Sequence, residues 1–136
     1  MASTPHKVLQ ISAATVAVSG VEYSDAITSA YLSATSTDTT WIPISGNTQT
    51  STGVPIWTAT LEFGQDLSAN STLTAKLIAL HGTQQVVTIK PTGSTTQVIT
   101  FTATIKIPKT VGGGVGVATT SVDLPINGQP VFTYGV

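Results

Sequence analysis

Residues 56–64, IWTATLEFG, alternate with a period of two: Trp57, Ala59, Leu61 and Phe63 fall on one face, Thr58, Thr60 and Glu62 on the other. That is the pattern of a strand with one face on a core. Just past Gly64 the period changes. Leu73, Leu77 and Leu80 recur at four and three residues, the apolar stripe of a helix. Ser68, Asn70 or Ser71 can cap its first turn, with Asp66 near the positive end of the dipole, and Gly82 is placed to close it in the left-handed conformation. The spacing therefore predicts one helix over about 68–81, followed by a strand over 84–90. The apolar stripe of this single amphipathic helix must be covered by a sheet built from the rest of the chain or by another subunit.

The flanking sequence reads that way. Residues 7–18 are rich in Val, Ile and Ala and predict a first strand after a loose arm over 1–6; Gly20 breaks it. Residues 21–32 continue, with Tyr23, Asp25, Ile27, Ser29 and Tyr31 on one face. The stretch 33–53 is dominated by Ser and Thr and interrupted by Trp41-Ile42-Pro43-Ile44. Threonine favours strands and Ser45-Gly46-Asn47 supplies a turn, so a hairpin projecting from the body is expected. Its exposed Trp41, Ile42 and Ile44 would form a docking surface; the competing reading folds the same island back onto the core.

Beyond the helix, Ile99, Phe101, Ala103, Ile105 and Ile107 share one face of a strand over 97–107, and Val98, Thr100, Thr102, Thr104 and Lys106 the other. Val111-Gly-Gly-Gly-Val-Gly116 reads as a pliable connection. Val122, Leu124 and Ile126 alternate with Ser121 and Asp123 up to Asn127-Gly128, a tight-hairpin signal with a return strand over 129–134. The sum is a mainly β fold, a sandwich or partly open barrel of about seven or eight strands with one flanking helix, in a single domain over 1–136.

Composition points to self-association. Only 8% of the residues are charged and the formal net charge is −1, against about 25% charged in ordinary soluble domains. Such a chain has little electrostatic repulsion between copies. Cysteine is absent and all five basic residues are lysine, which leaves no thiolate chemistry and no arginine stripe for gripping nucleic acid. The N-terminal residues lack a secretory pattern, and no apolar run reaches the roughly 18 residues of a membrane span, so the expectation is an intracellular product that assembles after synthesis. The two histidines, His6 and His81, have no carboxylate close in sequence to orient them, and GGGVG lacks the Lys-Ser/Thr of a phosphate loop. No catalytic residue, cofactor site or metal site is expected.

The order of parts resembles the tail tube (major tail) proteins of long-tailed bacteriophages. The resemblance runs over about 54–130: Trp57-Thr-Ala-Thr-Leu-Glu-Phe63, Asp66-Leu67 opening a short helix that ends at His81-Gly82, a strand ending Lys90-Pro91, then 100–107. Val111-Gly-Gly-Gly-Val-Gly116 and Ser121-Val-Asp-Leu-Pro-Ile-Asn-Gly-Gln-Pro130 complete it. The resemblance implies a β-sandwich with a flanking helix, assembled as hexameric rings stacked into the conduit for genome ejection. It further implies a place in the virion tail, assembly in the host bacterial cytoplasm, contacts with tape measure, tail terminator and distal tail proteins, and double-stranded DNA in transit.

On that reading the 33–53 hairpin is the inter-ring arm, with Trp41, Ile42 and Ile44 as its contacts. The polar strand positions Thr58, Thr60, Glu62, Thr100, Thr102, Thr104 and Asp123 are the candidates for the lumen, with Glu62 and Asp123 supplying its charge. Hydroxyls and a few acids would let DNA slide, since no row of cations holds its phosphates; Lys106 tempers a purely acidic channel. The hairpin is expected to order on polymerisation, having little to bury alone. Two other functions fit the same composition: a capsid decoration or head–tail joining subunit, and a carbohydrate-binding β-sandwich with Trp41, Trp57 and Tyr134 as stacking platforms.

Overall fold

The computed structural model describes residues 8–11, 13–93 and 96–134; the 1–6 arm expected from the sequence lies outside them. Within the described residues the chain is mainly β. Its elements are β1 (Thr15–Val18), β2 (Val21–Glu22), β3 (Ile27–Thr35), β4 (Asp38–Trp41), β5 (Gln49–Thr52), β6 (Ile56–Gly64), α1 (Leu73–Ala79), β7 (Gln84–Lys90), β8 (Val98–Thr104) and β9 (Thr119–Thr133). Seven strands form one antiparallel sheet in the order β2-β1-β7-β8-β9-β6-β3, and β4 and β5 form a separate two-stranded sheet.

β9 turns this sheet around its core. Residues from Thr119 to Pro125 pair with β6, whereas Ile126 to Thr133 pair with β8. One long strand thus belongs to two halves, the device by which strands make the corners of sandwiches and barrels. The junction carries a bulge: Thr102 faces Asn127 but Thr100 faces Val131, so residues 128–130 stand opposite Phe101 alone. Gly128, at φ 79°, supplies the left-handed backbone that such a bulge uses. The expected hairpin at Asn127-Gly128 does not form, and 129–134 is no separate return strand. Both signals ask for a residue with positive φ, and pairing to β6 and β8 decides between them.

The core follows the alternation. Ala59, Leu61 and Phe63 of β6, Val122, Leu124 and Ile126 of β9, Phe101 and Ala103 of β8, and Val87 and Ile89 of β7 are buried in one cluster, with Leu73 and Leu77 of α1. At about 1.5–3 kcal/mol for each large apolar side chain, this burial outweighs any local propensity in the chain.

Four further expectations are corrected. The helix spans Leu73–Ala79, not 68–81, with Thr72 as its N-cap. The Ser68 amide and hydroxyl both donate to Asp66 Oδ1, at 2.9 and 2.6 Å, and the Thr72 hydroxyl donates to the Asp66 carbonyl at 2.6 Å. These local bonds compete with helix and hold the segment before Thr72 as turns. Among the described residues of the 7–18 run the strand is Thr15–Val18, because its partner β7 ends at Lys90, opposite Thr15, and Pro91 comes next. Residues 21–32 are not one strand: a turn over 23–26 separates β2 from β3. Within β3 a bulge between Ile27 and Ser29 puts Ile27 with Phe63 on the core side while Ser29 and Tyr31 face outward opposite Glu62 and Thr60. Finally β8 ends at Thr104 rather than at 107; Ile105 is still buried, its amide donating to the Thr83 carbonyl, but Ile107 is exposed.

Candidate assembly surfaces

The β4–β5 hairpin grows directly out of the body. β3 and β6 pair to Thr35 and Ile56, the Gly53 amide donates to the Thr37 carbonyl at 2.8 Å, and the ladder resumes as Asp38 opposite Thr52 through to Trp41 opposite Gln49. Threonines at Thr39, Thr40, Thr50 and Thr52 suit such a ladder. Every residue of both strands is exposed. The tip is closed by the Gly46 amide donating to the Pro43 carbonyl at 3.0 Å, with Gly46 at φ 86°. Ile42 and Ile44 sit at this tip beside Trp41, all three exposed, so the apolar island does not fold back onto the core. Within the chain the hairpin carries its own ladder of four facing pairs. Val54 and Ile56 extend the exposed apolar surface down to its root.

A second surface is the outer edge of β3. Among the described residues this strand pairs with β6 alone and ends the sheet. Its nine residues, ITSAYLSAT, contain no charge and no proline. Charges and prolines are two devices by which monomeric proteins block edge-to-edge pairing, and beyond the bulge at Ile27–Ser29 their absence leaves the stretch from Ser29 to Thr35 as a template for another strand. The opposite end of the sheet is the short β2.

The seven polar strand positions all lie on the face turned away from the core. Thr58, Thr60 and Glu62 alternate with buried Ala59, Leu61 and Phe63; Thr100, Thr102 and Thr104 alternate with buried Phe101 and Ala103; and Asp123 lies between buried Val122 and Leu124. Register makes them two groups. Thr60 stands opposite Asp123 and Glu62 opposite Ser121 on the β6 side of the corner, while Thr100 stands opposite Thr88 on the β7–β8 side. The bulge in β9 separates the groups.

Charge in the first group is more balanced than the sequence implied. Asp123 accepts from the Thr60 hydroxyl at 2.8 Å and pairs with Lys109 Nζ at 3.1 Å. The hydroxyl first, and then the lysine, hold its carboxyl below the usual range. Lys109, placed there by its own amide donating to the Ser121 carbonyl at 3.0 Å, is the residue that sequence reasoning missed; nothing in local spacing marks a pairing across the connection from β8 to β9.

The remaining features of chemical interest have structural partners. His81 Nδ1 accepts from the Ile107 amide at 3.1 Å, tying the end of the helix to the chain after β8. Trp57 is half-buried; its ring meets Phe132 at 5.6 Å between centroids, and its Nε1 donates to Gln129 Oε1 at 2.9 Å. It is a packed residue, which leaves Trp41 and Tyr134 as the exposed members of the three aromatic platform candidates. An open cleft of about 480 Å³ is lined by Glu22, Tyr23, Asp25 and Asp66 among others. There Glu22 accepts from the Ser24 hydroxyl and Asp66 from Ser68, and partial burial raises the Tyr23 pKa. The glycine-rich connection is clamped by Gln65, whose Nε2 donates to the Gly112 and Thr119 carbonyls and whose Oε1 accepts from the Gly112 amide at 2.7 Å.

No protein-family model matches the chain, and a search of curated proteins found no sequence match.

Proposed function

We propose that this protein is a structural subunit that assembles with copies of itself, and that the assembly is the stacked-ring tube of a long-tailed bacteriophage. The observation that carries the reading is the projecting β4–β5 hairpin, which holds Trp41, Ile42 and Ile44 in solvent at the end of a paired ladder. Exposing three large apolar side chains together on an arm is costly for a monomer and useful for a docking element. The unblocked edge of β3 supports the same reading: a closed ring of identical subunits removes every such edge by pairing it with the next copy. In the proposed tube the arm bridges successive rings, and the hydroxyl-rich outer face of the sheet meets the DNA. Lys109 offsets the charge of Asp123, one of the two lumen acids, so the wall would keep Glu62 as its remaining acid and no row of cations to grip phosphates.

The test is negative-stain electron microscopy of the purified protein together with size-exclusion chromatography. Hollow tubes or stacked rings of uniform width are the expected result. A strictly monomeric protein at high concentration across salt conditions would refute self-assembly. Particles that bind only to preformed capsids would replace the tube with a decoration or joining role.

A further inference from the structure

Asn127-Gly128 is the strongest local turn signal in the sequence, and the fold does not use it for a turn. Both residues are exposed, and they enter the bulge where β9 passes from β6 to β8. The chain has three asparagines, followed by Thr48, Ser71 and Gly128 respectively. Only at Gly128 does the following residue lack a Cβ, which leaves its backbone nitrogen open to approach by the preceding side chain. In a regular ladder the backbone is too extended and too firmly paired for that approach. Here residues 128–130 share a single facing residue, Phe101, and Gly128 has left the extended region at φ 79°. One contact acts against reaction: Asn127 Nδ2 donates to Thr104 Oγ1 at 3.0 Å and holds the side-chain amide toward β8.

We propose that Asn127 is a site of spontaneous deamidation, with the Thr104 hydroxyl as its brake. The Gly128 nitrogen forms a bond to Asn127 Cγ, the Cγ–Nδ2 bond breaks, and Nδ2 leaves as ammonia with the proton given up by the Gly128 nitrogen. Water then opens the cyclic imide at either carbonyl and leaves aspartate or isoaspartate. No oxidant, metal or enzyme is needed. Aspartate puts a carboxylate where an amide donor faced Thr104, and isoaspartate carries its carboxylate on Cα and leaves no amide donor there. The isoaspartate also routes the main chain through Cβ and so adds one carbon to the backbone. That carbon enters just before Gly128, one residue ahead of Gln129, whose Nε2 donates to the Pro55 carbonyl at 2.9 Å and whose Oε1 receives Trp57 Nε1. The modification therefore loosens the corner where the root of the hairpin is tied to β9, and it does so whether or not the protein forms tubes.

The experiment incubates the purified full-length protein in mildly alkaline buffer at physiological temperature and tracks it by cleavage after lysine and mass spectrometry. Cleavage after Lys109 isolates Asn127 on a peptide separate from Asn47 and Asn70. Amide-to-acid conversion is expected at Asn127 at least several-fold faster than at the other two, resolved as separate aspartate and isoaspartate peptides. Thr104→Val should speed it several-fold further, and Thr104→Ser, which keeps the hydroxyl, should stay at the wild-type rate. Equal rates at all three asparagines would overturn the site. A Thr104→Val rate equal to wild type, in a protein with unchanged β-sheet circular dichroism, would overturn the brake; if that variant fails to fold, a Thr104→Ser rate above wild type would overturn it instead.

Discussion

Replacing Trp41 with alanine should weaken assembly without weakening the fold. A tryptophan side chain offers roughly 150–250 Å² for burial, and Trp41 is 63% exposed in the single chain. About 100–150 Å² is therefore still available to a partner, worth about 2.5–4 kcal/mol at ~25 cal/mol per Å². Alanine keeps part of that contact and a docked ring is seldom fully covered, so about 2 kcal/mol per arm is the working figure. At about 1.4 kcal/mol per tenfold, each arm contact loses roughly 30-fold in its equilibrium constant. The assay is the critical concentration for sedimentable polymer, read beside the urea midpoint of the unassembled subunit. The critical concentration should rise by at least that factor, because in the proposed assembly each subunit would contribute one such arm contact or more. The urea midpoint should stay within the scatter of surface substitutions, about 0.5 kcal/mol. An unchanged critical concentration would refute the docking role of the arm. A midpoint falling as far as a core truncation would show instead that Trp41 packs on its own subunit.

Three other substitutions read separate parts of the structure. Gln65→Ala removes three hydrogen bonds across the ends of the glycine-rich connection; at this part-exposed site the expected loss is about 1 kcal/mol in all, with faster amide exchange over 111–118, and unchanged exchange there would contradict the clamp. Gly93→Ala forces a side chain onto φ 73° and brings a Cβ to 2.8 Å from the Ala13 carbonyl oxygen; it should cost about 2 kcal/mol by urea unfolding, and a neutral result would mean that Ala13 does not approach so closely. Asp123 has a folded pKa below its unfolded value, so its contribution is fully present above the ordinary carboxylate range and is lost as pH falls through the lower folded pKa. Asp123→Asn should accordingly be less stable than wild type near neutrality and converge with it in acid, as measured by urea midpoints across pH; parallel curves would rule the interaction out.

The elements that the sequence specifies best are those whose own residues carry the whole signal. In β6 and β7 the strict alternation of Ala59, Leu61 and Phe63 and of Val87 and Ile89 coincides with burial, and their bounds match the expected strands. The stripe of Leu73 and Leu77 likewise reports the buried face of α1. At the start of the helix the competing bonds from Ser68 and Thr72 to Asp66 are also local, and an Asp-x-Ser spacing with a threonine beyond it is the sequence signal that shortens the helix. The same holds for the arm: a threonine-rich run around a turn does specify a ladder, and its amphipathic neighbour β6 fixes where the ladder leaves the body.

The departures from expectation share a different origin, because each depends on the partner across a strand rather than on the neighbours along it. β1 stops where β7 runs out, β3 shifts its faces at a bulge opposite β6, and Lys109 reaches Asp123 only because its segment lies along β9. Asn127-Gly128 is the clearest instance. Its positive φ is equally usable in a hairpin and in a bulge, and the energy separating them lies in the ladder from β6 to the first half of β9 and from β8 to the second. A hairpin would have set the two halves of β9 against each other and taken one edge of each. The bulge instead keeps β9 continuous, so that β6 and its outermost neighbour β3 remain part of the same sheet as β7 and β8. It is this choice that leaves β3 at the sheet's end, running straight into the root of the hairpin, so that the free edge and the arm are continuous along one chain segment.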